Sequence, residues 1–77
     1  MIDFRRVGRK ISLFRRKMNL SQDDLAERMF VSRQLVSKWE NGTGIPKIDN
    51  IIDLCEILNV GFEELLCIND ESEDGDK

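Results

Sequence analysis

The chain has 77 residues, 12 Lys and Arg against 15 Asp and Glu, no histidine, two cysteines and a formal net charge of −3, which predicts one domain with a modest core. No apolar run approaches the roughly 20 residues that span a bilayer and the opening MIDFRRVGRK lacks the apolar centre of a signal peptide, so a cytoplasmic protein is expected. Without histidine there is neither a zinc set nor a nucleophile with a plausible base, so no enzyme, metal site or cofactor is expected.

Phe4, Val7, Ile11, Phe14 and Met18 recur at spacings that predict an amphipathic helix over 4–18. Gly8 should weaken its first turns by up to about 1 kcal/mol. Its polar face carries Arg5, Arg6, Arg9, Lys10, Arg16 and Lys17, and Leu13 falls off the stripe toward solvent. Asn19 suits the left-handed conformation that closes a helix, and Leu20 turns back into the core.

A short helix, a tight turn and a second short helix follow over Gln22 to Asn41. Ser21 to Asp24 fits the [ST]-x-x-[DE] start signal, in which the hydroxyl takes a free backbone N–H. Leu25, Ala26 and Met29 face inward, with small Ala26 permitting close approach. Val31 fills the turn and Ser32 caps the second helix, 33–41. That helix buries Val36 and Trp39, three apart on one face, and presents Arg33, Gln34, Ser37 and Lys38 on the other. A supported helix with long hydrogen-bonding side chains outward is what a DNA major groove accepts.

Gly42 and Pro46 end that helix. Ile48, Ile51, Ile52, Leu54, Cys55 and Leu58 predict a fourth helix with a broad apolar face and Ile57 near its edge. After Asn59, Phe62, Leu65 and Leu66 predict a short fifth helix, with Glu63 and Glu64 favourably placed in its first turn. Cys55 and Cys67 lie on apolar stripes as reduced residues in or near the core. No strand pattern or repeat occurs. Residues 1–68 thus form one all-α domain, followed by an acidic segment, 69–77, expected to be disordered.

Charge is unevenly spread. Residues 5–47 hold eleven Lys and Arg and four acids, +7, whereas residues 48–77 hold ten acids and Lys77, −9. The central helix pair lies inside the positive part, although two solvated charged faces would give the same numbers.

Leu20-Ser21-Gln22, Leu25-Ala26, Val31-Ser32-Arg33-Gln34, Val36 through Gly42, Pro46 and the ending from Leu58-Asn59-Val60 to Glu63-Glu64-Leu65-Leu66 together resemble the phage-repressor helix-turn-helix family, Cro/CI-like or XRE-type. The resemblance implies a compact five-helix, lambda-repressor-like domain that binds palindromic operator DNA as a homodimer. Position by position it implies base contacts by Arg33, Gln34 and Lys38, with Ser37 facing bases or backbone. Arg33 and Lys38 suit guanine and Gln34 suits adenine. Gln22 matches a glutamine that touches a phosphate and braces the first recognition side chain. Ser32 and the Asn41 amide would hold phosphates, Lys47 would approach the minor groove or backbone, and charge adds Arg16 and Lys17 as backbone contacts.

Arg15 matches instead a position that pairs with the acid at Glu40, so a structural ion pair is expected. The family usually has glycine in the turn where this chain has Phe30. Left-handed geometry would cost phenylalanine on the order of 1–2 kcal/mol; the usual backbone with an outward, partly exposed ring is expected. Leu35 would meet thymine methyls or border the core. Ile57, Cys67 and Ile68 are candidates for a dimer surface, or equally for the edge of the core. The implied function is a transcriptional regulator, specifically a repressor; the alternative is a protein-interaction module, such as an antitoxin-like or anti-repressor partner.

Overall fold

The computed structural model describes residues 2–68. These form five helices: α1 (Phe4–Lys17), α2 (Gln22–Met29), α3 (Arg33–Asn41), α4 (Ile48–Leu58) and α5 (Phe62–Leu66). The acidic segment expected to be disordered lies outside the described residues.

Local chemistry explains each boundary. Asp3 opens α1, its Oδ1 accepting from the Arg5 N–H at 3.0 Å. Ser21 and Asp24 exchange hydrogen bonds at 2.9 Å in both directions, completing a capping box at α2. Ser32 Oγ accepts from the Leu35 N–H at 3.1 Å and starts α3. At α5, Glu64 folds back to accept from the Gly61 N–H at 3.0 Å. Asn19 (φ 60°) and Asn59 (φ 59°) close α1 and α4 in the left-handed region, as their side chains suggest. Cys67 (φ 61°) does the same after α5, which nothing in its chemistry announces.

The core combines Val7 and Ile11 of α1, Leu25, Ala26 and Met29 of α2, Val36 and Trp39 of α3, Ile51, Leu54 and Leu58 of α4, and Leu65 and Leu66 of α5. Burying each of the larger side chains contributes about 1.5–3 kcal/mol. Trp39 is the largest fully buried residue and sits where α1 packs on α3. Leu35 and Phe14 are half-buried at the margin.

Several apolar positions depart from expectation. The apolar face of α4 is narrower than the composition suggests: Ile51, Leu54 and Leu58 form its buried stripe, while Ile48 and Ile52, one turn apart, form a separate exposed one. Met18 and Phe62 are likewise exposed, each at a helix end where the core stops. Cys67, by contrast, lies in the core as its apolar stripe suggested, 2% exposed and left-handed after α5. Ile57 packs against the core, so of the three proposed dimer residues only Ile68 is exposed.

Gly8 is the point of closest approach between α1 and α3. A Cβ there would collide with the Trp39 carbonyl oxygen and stand 2.8 Å from that of Glu40. The glycine lowers helix propensity but lets α1 lie directly on the last turn of α3. Gly42 completes this contact, at φ 80° and with the Arg5 stem packed over it.

Candidate nucleic-acid interface

The outward face of α3 carries Arg33, Gln34 and Lys38, all exposed, and the half-buried Ser37. The pairs 33/37 and 34/38 are each one turn apart, so the four side chains share one side. Val36 and Trp39 anchor the opposite side in the core. The helix cannot roll without exposing the indole, and this fixes which side chains face out.

A partly buried polar network ties the end of α3 to α1 and α2. Arg15 donates through Nε to Glu40 Oε2 at 2.7 Å and through Nη2 to Oε1 at 3.1 Å. Its Nη1 donates to the Leu20 carbonyl at 2.8 Å. The two side chains are 12% and 6% exposed. Among the described residues no buried side-chain nitrogen or oxygen lacks a partner, so the desolvation that burial imposes is compensated. The expected Arg15–Glu40 pair is therefore present as a bidentate interaction, and Arg15 is committed to the fold.

Gln22 joins this network. Its Nε2 donates to Glu40 Oε1 at 2.9 Å, which leaves its amide oxygen uncommitted in the network. At the start of α3, Asp23 Oδ1 stands 3.4 Å from Arg33 Nε. Sequence reasoning missed Asp23, which reads as one more acid in a first turn.

At its other end α3 is closed by the exit loop. The Lys38 carbonyl accepts from the N–H groups of Thr43 (3.0 Å) and Gly44 (3.1 Å) and from Thr43 Oγ1 (3.4 Å). A Cβ at Gly44 would stand 3.1 Å from Lys38 Cβ, so the base of the Lys38 side chain is packed against the loop while its end is exposed. Asn41 Nδ2 lies 3.5 Å from Ser37 Oγ. Ser32 spends its hydroxyl on the α3 cap, and the first-turn N–H groups there give that end a partial positive charge.

The peripheral basic residues are exposed. Arg16 bends back to the Ser12 carbonyl at 3.4 Å, and Lys17 Nζ sits 6.0 Å from the centre of the Phe14 ring. Lys47 stands at the start of α4, where its N–H donates to Asn50 Oδ1 at 3.3 Å. In the turn between α2 and α3, Phe30 holds the left-handed conformation (φ 59°, ψ 40°), and the residue is 94% exposed. The usual turn geometry is thus kept in spite of the residue. No group of three His, Cys, Asp or Glu that could hold a metal occurs among the described residues, and no described helix is long and apolar enough to cross a membrane.

Residues 11–65 match the family model described as Helix-turn-helix. The chain is 39% identical over 57 residues to the HTH-type transcriptional activator BcrR of Enterococcus faecalis, covering 74% of this chain and 28% of that protein. It is 23% identical over 60 residues to the CTXphi transcriptional repressor RstR of Vibrio cholerae, covering 78% of this chain and 54% of that protein. The chain therefore spans about half or less of the length of these two relatives. The structure superposes with a TM-score of 0.76 on the restriction-modification controller protein C.AhdI of Aeromonas hydrophila, at 28% identity, over 82% of this chain and 96% of that one.

Proposed function

Because the chain belongs to the helix-turn-helix family that its residues 11–65 match, we propose that it is a sequence-specific DNA-binding transcriptional regulator that reads the major groove with α3. The observation that carries this reading is the division of α3. One side is locked by Val36, Trp39 and the Arg15–Glu40 network; the other is free to present Arg33, Gln34, Ser37 and Lys38. Arg33 and Lys38 would take guanine O6 and N7, and Gln34 adenine N6 and N7.

Phosphate contacts would come from the α2 and α3 starts at Gln22 and Ser32, from the Asn41 amide, and from Lys47, Arg16 and Lys17. The protein would act in the cytoplasm, without cofactor or catalysis, as a homodimer on a palindromic operator. Two copies of α3 would then enter successive major grooves about 34 Å apart. Repression is the outcome we favour, because occupying an operator blocks it without any further contact.

Selection of bound sites from random duplex DNA tests this reading. A half-site motif repeated with dyad symmetry at one-turn spacing is expected. Recovery of no common motif would reject it.

A further inference from the structure

The ion pair between Arg33 and Asp23 has a geometry that bears on how α3 would read a base. Arg33 is the first residue of α3 and Asp23 the second of α2, and the carboxylate approaches the guanidinium through Nε at 3.4 Å. Both side chains are more than half exposed, at 53% and 78%. The α2 cap is already made by Ser21 with Asp24, so Asp23 is not needed to start its own helix. An acid beside Nε biases the orientation of an arginine and, by the geometry of the guanidinium, leaves its outer Nη1/Nη2 edge, which matches guanine O6 and N7, open to a base.

We propose that Asp23 is a specificity-determining positioning residue, holding Arg33 oriented for guanine and keeping it from gripping phosphates indiscriminately. The inference rests on the reading of α3 as the base-contacting helix. An unrestrained arginine at this site binds any nearby phosphate and adds affinity that carries no sequence information. Paired with Asp23, its charge is partly offset on every DNA. Only a guanine in the right place repays the approach with two aligned hydrogen bonds.

The test measures binding of wild type, Asp23→Asn, Asp23→Glu, Arg33→Ala and the Asp23→Asn/Arg33→Ala double variant. The duplexes are the selected site, that site with the Arg33-dependent guanine replaced, and a random sequence. The guanine is identified as the position whose preference Arg33→Ala removes. Asp23→Asn should tighten binding to the random duplex and lower the preference for guanine about threefold, the scale of one exposed ion pair. Asp23→Glu should restore the preference, and in the Arg33→Ala background Asp23→Asn should leave it unchanged. Equal strengthening on all three duplexes would show plain charge repulsion and overturn the proposal, as would no change on any. A wild type without preference among the duplexes would instead bring down the reading of α3 itself, and the inference with it.

Discussion

Gly8 of α1 rests on the backbone carbonyl of Trp39, at a crossing too close for any Cβ. In an isolated helix Gly→Ala gains up to about 1 kcal/mol. Here the sign should reverse. Gly8→Ala forces α1 off the last turn of α3 and is expected to destabilise by about 1–3 kcal/mol, the range for overpacking a close contact. Urea denaturation checks this; a stabilised variant would mean that the two helices part at no cost.

Arg15 and Glu40 are nearly buried and satisfied mainly by each other. Removing either by Arg15→Ala or Glu40→Ala should cost about 3–5 kcal/mol, because the survivor is left charged in the interior. The double variant should be less destabilised than the sum of the singles, and equilibrium unfolding of all four proteins gives the coupling. Additive losses would show that the two side chains act independently.

Phe30 combines left-handed backbone with near-complete exposure of the residue. No packing is lost on its removal, so Phe30→Gly should relieve part of the roughly 1–2 kcal/mol of strain and raise the melting temperature. The gain is reduced by glycine's greater freedom in the unfolded chain. A lower melting temperature would mean that the ring packs in solution.

Asp24 is held below its ordinary carboxyl value of 3.8, first by the Ser21 N–H its side chain accepts and next by the Ser21 hydroxyl, against a small opposing effect of burial. A carboxyl depressed on folding stabilises above its unfolded pKa and loses that contribution as pH falls through the folded value. The stability gap between wild type and Asp24→Asn should therefore be constant above pH 3.8 and shrink below it. Unfolding measured as a function of pH reads this directly. A gap that persists in acid would show that the charge plays no part in the cap.

All five helices were legible in the chain because apolar periodicity agrees with capping residues at the starts of α2 and α3 and with Asn19, Gly42 and Asn59 at the ends of α1, α3 and α4. So was the Arg15–Glu40 pair, though only through family resemblance, since composition alone made Arg15 one more surface cation. The packing role of Gly8 was not legible because propensity sees only its own helix, whereas the close contact lies 31 residues away at Trp39. The face of α4 was overdrawn because isoleucines on two adjacent stripes look alike until a partner helix selects one. Cys67 lies in the core as its apolar stripe suggested, but its left-handed backbone was not legible, because a cysteine carries no signal for that conformation. Asp23 escaped notice for a related reason: acids are common in first turns, and only the crossing of α2 and α3 brings this one to Arg33.

The reading of α3 stands or falls on its exposed cations. Arg33 and Lys38 lie outside the core, so Arg33→Ala/Lys38→Ala should fold with unchanged helicity. Fluorescence anisotropy with a labelled duplex carrying the selected site should show affinity falling about 100-fold, as expected for two lost base contacts. The wild-type affinity should itself decline steeply with salt as bound counterions are released. A folded double variant that binds the same duplex as tightly as wild type would contradict major-groove recognition by this helix.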